Sequence, residues 1–262
     1  MGGPLTSALS AAAAAVSIVP LTGVPEVRAG DNLAQVLISA LDAQGLALVD
    51  GDVVVVASKV VSKAEGRGVG ELPHPGARAG LLADETGFEA GLVELILSES
   101  QAVLRSRPRV LVVETRHGLV CANAGVDRSN TGNAGTALLL PVDSDASARA
   151  VRGALMERFG ATIAVLVSDT FGRPFRYGQV NVAIGVAGMK PIHDYRGQAD
   201  PNALVLQGTE IAVADELCSA AELVMNKLDG VPVAVVRGYR WEPDDAATMR
   251  PLLRDRATDY FR

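Results

Sequence analysis

Cysteine is nearly absent from this chain, with Cys121 and Cys218 the two examples. Two are too few for a disulfide framework, and their separation is not that of a zinc site. Both sit in apolar surroundings, which predicts core positions. Positive charge is also short: acidic residues outnumber basic ones 30 to 24, for a net charge of -6. That balance argues against a sequence-independent grip on nucleic acid, so an anionic ligand has to be met locally, for example by divalent ions held on carboxylates. No Lys or Arg precedes the alanine-rich apolar stretch at residues 8–20, so the start lacks the charge of a Sec signal. No stretch approaches the ~20 apolar residues of a membrane span, and the chain reads as cytoplasmic. A Walker A loop is missing. Gly66-x-Gly68-x-Gly70 lacks the Rossmann spacing and follows a polar segment, which takes support from a dinucleotide oxidoreductase. There is no internal repeat and no linker between independent domains.

What is present is a core. A chain of 262 residues, 48% of them hydrophobic, buries a substantial interior as one domain or two intimately joined ones. Residues 1–15 read as a loose start, 16–255 as the folded domain, with two interleaved subdomains allowed, and 256–262 as a tail. A first strand is expected at 17–21. A helix follows from an Asp31 N-cap to Gln44, stopped by Gly45, and then a buried β-branched strand at 53–56. Residues 78–105 have a helical pattern. Segments 110–114 and 119–124, joined by the His117-Gly118 turn, predict an antiparallel hairpin. A helix at 144–159 with Gly160 as C-cap leads to a strand ending at Val167. The Gly-rich stretch 177–190 suggests a strand with close backbone approach, 211–227 a long helix, and 231–236 a last strand. Hairpins mixed with helices favour an α+β fold of mixed, largely antiparallel sheets with flanking helices over a doubly wound parallel sheet.

Two segments carry the chemistry: Gly125-Val126-Asp127-Arg128-Ser129-Asn130 and Ser168-Asp169-Thr170-Phe171-Gly172-Arg173-Pro174-Phe175-Arg176. Each places a carboxylate beside a hydroxyl with basic residues close by, and each aspartate is expected where a buried strand ends. Paired carboxylates hold hard divalent cations, and guanidinium groups meet the phosphates those cations accompany. Either aspartate alone reads more readily as an ordinary turn or cap residue than as a ligand; the company of Asn130, Thr170, Arg173 and Arg176 gives the pair its weight. Ser58, Lys59, Ser62 and Lys63 follow the buried strand and read evenly as triphosphate contacts or as a solvated helix start. The polar run His193-Asp194-Tyr195-Arg196 reads as a binding loop or a solvated one, and Glu210 as a helix-start charge.

Three strings, from Val120 to Asn130, from Ser168 through Tyr177-Gly178-Gln179, and Ala212-Val213-Ala214-Asp215-Glu216, resemble the coenzyme F420-0:L-glutamate ligase (γ-glutamyl ligase) family. The resemblance runs from about residue 18 to 240. It implies a GTP-dependent, divalent-metal-dependent ligase that adds L-glutamate to the deazaflavin precursor F420-0 and extends it by γ-linkage, folded as an intertwined homodimer. Asp127, Asp169 and Thr170 match the family's metal-binding positions for Mg²⁺ or Mn²⁺, expected as two ions, with Glu210 a further ligand and K⁺ a further candidate cation. Pro20, Leu21, Thr22, Gly23, Ser58, Lys63 and Asn130 match positions that contact GTP. The resemblance is to the single-domain form, without the flavin-binding C-terminal domain of some bacterial relatives. Phe175 stands where many relatives carry tryptophan.

The implied chemistry is carboxylate activation. Amide formation from a free carboxylate in water is uphill, and phosphoryl transfer from GTP to give an acyl phosphate removes that barrier, with GDP and then phosphate released. Asp127, Asp169, Arg173 and Arg176 are the expected catalytic groups, Lys63 a phosphate contact and His193 a candidate base. A same-family ligase with another carboxylate acceptor, a metal-dependent nucleotide hydrolase and a silent nucleotide-binding protein stay open.

Overall fold

Valine runs build the centre of this fold. The protein is described here by a computed structural model, which covers residues 15–128 and 136–260. Strand β1 (Ser17–Pro20) leads to helix α1 (Leu33–Gln44). Asn32, not Asp31, caps that helix by accepting from the Gln35 N–H, while Asp31 accepts from the Arg28 N–H; Gly45, at φ 68°, ends it as expected. Strand β2 (Val53–Ala57) follows, with Val53 to Val56 each at most 1% exposed, a burial worth roughly 1.5 kcal/mol or more per valine. Helix α2 (Ser58–Ala64) starts at once.

The chain then leaves the main sheet. Strand β3 (Gly68–Val69), helices α3 (Ala77–Thr86) and α4 (Ala90–Ser98), and strands β4 (Ser100–Arg107), β5 (Val110–Thr115) and β6 (Val120–Ala122) form a smaller layer, and β7 (Ala137–Leu138) returns to pair with β3. Its own cluster joins Ala79, Val93 and Ile96 of the helices to Leu111 and Val113 of the sheet. The helical pattern expected through residue 105 stops at Ser98. Residues 100–107 instead become an edge strand beside the β5–β6 hairpin, because pairing with β5 outweighs a local helical tendency.

Helix α5 (Ser144–Phe159), capped by Asp143 and ended by Gly160, returns to the main layer. Strands β8 (Ala164–Arg173) and β9 (Arg176–Met189) form a long hairpin. A short ribbon of β10 (His193–Asp194) and β11 (Glu210–Ile211) leads to helix α6 (Val213–Met225), two residues shorter than expected at each end. Strands β12 (Val233–Arg237) and β13 (Pro243–Asp244) complete a six-stranded sheet of order β1-β12-β2-β8-β9-β13. Its pairings are antiparallel except β2 with β8, so the class is α+β. Gly185 answers the expectation of close approach on β9: a Cβ there would lie 2.4 Å from the Ser144 carbonyl oxygen, where α5 begins. Among the described residues no helix is long and apolar enough to cross a membrane.

Candidate active site

The parallel pair fixes the first two site residues. Ala57, the last residue of β2, stands opposite Ser168 in register, so Ser58 at the start of α2 comes beside Asp169, and the Ser58 hydroxyl donates to Asp169 Oδ1 at 3.0 Å. Asp169 does not end its strand. Strand β8 continues to Arg173, with the register against β9 slipping between Val167 and Ser168. Such an irregularity re-aims the side chains beyond it, which here carries Asp169 and Thr170 out of the two-sided core. Thr170 then stands opposite Asn181, and its hydroxyl donates to Asn181 Oδ1 at 2.8 Å.

Asp127 arrives from the smaller layer. After β6, Asn123, Ala124 and Gly125 all take positive φ, at 54°, 54° and 69°, a turn that two non-glycine residues hold at a cost in strain. A Cβ on Gly125 would meet Leu140 at 2.8 Å, which explains glycine there. The turn delivers Asp127 to Lys59, whose Nζ lies 2.6 Å from Asp127 Oδ2. Asp127 and Asp169 thus line one cleft of about 970 Å³ between the two layers, together with Ser58, Lys59 and Thr170. Three wall groups had no assigned role in the sequence reading: Asn181, Glu222 and Lys227. Lys227 Nζ donates to Thr170 Oγ1 at 2.7 Å and pairs with Glu222 at 2.8 Å, and Asn181 Nδ2 donates to Glu222 Oε2 at 2.8 Å. The signal was available in part: Glu222 lies on the predicted helix, but its inward face required knowing that α6 packs on β9.

The electrostatics favour a cation. Burial pushes the Asp169 carboxyl up to about 6, and the nearby Asp127 charge adds to this, against hydrogen bonds from the Thr170 N–H and the Ser58 hydroxyl and the attraction of Lys227. The protein therefore undercompensates the ionised form of this carboxyl. Among the described residues no three carboxylate, imidazole or thiolate groups converge. Asp127 and Asp169 are the carboxylates of the cleft that could hold a hard divalent cation. Buried Asn123 Oδ1, on the cleft wall, meets no donor among the described residues. Cys121 also borders the cleft, but burial, then the Asp169 charge, pushes its thiol up to about 12, which disfavours the reactive thiolate.

Other expected residues lie elsewhere. Lys63 is buried under the wall residue Glu26, with Nζ 2.6 Å from its carboxylate. The 58–64 helix start is therefore buried rather than solvated. Leu21 is wholly buried, while the Pro20 carbonyl and the Thr22 hydroxyl and N–H are tied to the Gln44 side chain, fixing the loop through Gly23 that precedes the wall residue Val24. Arg173 and Arg176 pair across the tip of the β8–β9 hairpin, where Arg173 donates to the Tyr177 carbonyl at 2.6 Å. Four residues of strand put Arg173 roughly 13 Å beyond Asp169, so the guanidinium groups are not gathered into the cleft of this chain. Glu210 pairs with Arg196 at 3.1 Å on the β10–β11 ribbon, where the His193 ring packs on Tyr195 at 4.2 Å; neither Glu210 nor His193 lines the cleft. Asn130 lies outside the described residues.

The α+β fold thus presents a cleft between two layers that gathers two carboxylates, two hydroxyls and ammonium groups, the polar lining of an enzyme site. The chain matches the F420-0:Gamma-glutamyl ligase family model over residues 23–238. It is 47% identical over 250 residues to the coenzyme F420:L-glutamate ligase of Methanothermobacter thermautotrophicus, covering 94% of this chain and 99% of that protein. The proteins of the same name from Methanopyrus kandleri and Haloarcula marismortui are each 41% identical, over 242 and 256 residues, covering 90% and 94% of this chain and 94% and 96% of theirs. The chain belongs to the F420-0:gamma-glutamyl ligase family and is an enzyme of the ligase class.

Proposed function

We propose that this enzyme joins L-glutamate to coenzyme F420-0 at the expense of GTP and extends the product by γ-linked glutamates. The observation that carries the reading is the convergence of Asp127 and Asp169 on one cleft rich in ammonium groups, in a chain of this family. The terminal carboxylate of the acceptor attacks the γ-phosphate, giving an acyl phosphate and GDP. The glutamate amine then displaces inorganic phosphate, forming the amide and giving up a proton.

Asp127 and Asp169 are the residues that would hold Mg²⁺ or Mn²⁺, and the ion supplies charge neutralisation at the phosphate oxygens. Ser58 keeps the Asp169 carboxylate turned toward the cleft. Lys59 and Lys63, each now engaged with a carboxylate, are point charges that a triphosphate can recruit. The loop through Pro20, Leu21, Thr22 and Gly23 is pre-formed by Gln44, which suits a nucleotide contact that costs little ordering. A homodimer fits the exposure of Phe175 and Tyr177 at the hairpin tip, since large apolar groups at a projecting tip favour burial against a second copy. In that assembly Arg173, Arg176 and Glu210 would act at a cleft completed by the partner.

The test is incubation of the protein with GTP, Mn²⁺, L-glutamate and F420-0, with mass spectrometry of the deazaflavin. The expected products carry added glutamyl units, with GDP formed in step. Phosphate release that ignores glutamate would replace this reading with a hydrolase, and product formation only from another carboxylic acid would replace the acceptor.

A further inference from the structure

Another carboxylate lines the cleft, at the far side of the sheet edge from Asp169, and the reaction does not use it. Strands β1, β12, β2 and β8 are neighbours, and Pro20 pairs with Ala234, Val233 with Val56 and Ala57 with Ser168, so these strand ends form a row along one edge. Asp169 follows the β8 end of the row. The β1 end lies three strand spacings away, roughly 14 Å, and the loop that leaves it carries Glu26 into the cleft wall. Glu26 Oε1 accepts from Lys63 Nζ at 2.6 Å, where the Lys63 side chain is 8% exposed and that of Glu26 54%. The buried ammonium anchors one oxygen, and solvent reaches the carboxylate; Oε2 has no hydrogen-bond partner among the described residues. Val24 and Pro25 from the same loop, and Val231 and Pro232 from the segment before β12, give this end of the cleft apolar surface, with the Leu21 N–H on the Val233 carbonyl holding the two segments together.

We propose that Glu26 reads the base of the nucleotide and selects guanine, its carboxylate accepting from the guanine N1–H and 2-amino group. The inference rests on the reading of this enzyme as a GTP-dependent ligase whose phosphates are met near Asp127 and Asp169. A carboxylate is an acceptor only. Guanine offers it two N–H donors side by side, whereas adenine turns the N1 lone pair to the same place and has no 2-amino group, so its approach desolvates the carboxylate without pairing it. The apolar groups suit the flat faces of a purine while the carboxylate reads its edge. The row of strand ends sets the base and the terminal phosphate about as far apart as an extended nucleoside triphosphate reaches.

The test is calorimetric titration of the full chain with GTP, inosine triphosphate and ATP, each in Mn²⁺ and without glutamate or acceptor. Inosine triphosphate differs from GTP only in lacking the 2-amino group. The wild type is expected to bind GTP about tenfold or more tighter than either of the others, and Glu26→Gln to lose about tenfold toward GTP and little toward ATP. An equal loss toward all three nucleotides would overturn the proposal, because Glu26 would then act only by holding Lys63. An unchanged preference for GTP over ATP in the variant, or a wild type that binds inosine triphosphate as tightly as GTP, would overturn it too. A wild type that binds GTP no better than ATP, or binds neither, would overturn the GTP reading itself. If Glu26→Gln does not fold, as judged by its circular dichroism, the comparison of inosine triphosphate with GTP on the wild type still supports or overturns the proposal.

Discussion

Asparagine in place of Asp169 keeps the side chain's shape and an oxygen for the Ser58 hydroxyl, and removes the charge. In the metal-free protein that charge is a burden. Burial and the neighbouring Asp127 raise the carboxyl from 3.8 to about 6, a difference worth about 3 kcal/mol. The direction follows from proton counting. Between those two pH values the folded protein binds more protons than the unfolded chain, so stability is highest below about pH 4 and falls as pH rises through 6. Above that it stays at the lower level. Asp169→Asn removes this decline. An asparagine that satisfies one of the two hydrogen-bond donors at Asp169 loses about 1 kcal/mol, leaving a net gain of about 2 kcal/mol at pH 7.5. Because the cleft admits some solvent to Asp169, this is an upper value. For a chain of this length it corresponds to a rise in Tm of roughly 4–8 °C. The assay is thermal and urea unfolding in EDTA from pH 4 to 8, followed by the same series in Mn²⁺. In Mn²⁺ the order reverses, because the wild type gains stability by binding and the variant does not. A variant that matches or falls below the wild type in EDTA at pH 7.5, with an unchanged circular dichroism spectrum, would refute the reasoning. It would mean that the site compensates the Asp169 charge without a metal.

Gly125→Ala combines a positive φ of 69° with a contact of 2.8 Å on Leu140; a loss of about 1–3 kcal/mol in urea unfolding is expected, with Mn²⁺ affinity falling as Asp127 shifts. Arg237 makes two hydrogen bonds to Asp52, which is wholly buried, so Arg237→Met leaves an uncompensated carboxylate and costs about 3 kcal/mol or more, read as a lowered urea midpoint. Cys121 and Cys218, both buried with raised thiols, are expected to stay silent to a disulfide reagent at pH 8 and to react together on unfolding; a fast native reaction would contradict the packing. Lys59→Gln removes the ammonium beside Asp127 and is expected to raise the KM for nucleotide several-fold while leaving Tm within a few degrees of the wild type, since a partly exposed pair contributes little stability.

Local chemistry carried much of this protein into view from its sequence. Four consecutive valines at 53–56, β-branched and bounded by Gly51-Asp52 and Ser58, read as a strand buried on both faces. Gly45 and Gly160 end their helices because glycine takes positive φ at little cost, and the two aspartate strings name the family with no structure in hand. Tertiary structure decided the rest, because it rests on contacts between distant parts of the chain. Residues 100–107 are a strand because β5 is available to pair with them, and Asp169 lies within β8 because β9 runs alongside for the whole hairpin. Nothing near Asp169 in sequence announces Asn181, Glu222 or Lys227, whose network comes from β9, from α6 and from just beyond it to end on the neighbouring Thr170. The same geometry separates Arg173 from Asp169 although only three positions lie between them, since an extended strand carries a neighbour away as fast as a turn brings a stranger near. The residues thus determined which chemistry is present. The register of one parallel strand pair, and the turn that carries Asp127 across from the second layer, determined that its two carboxylates line one cleft.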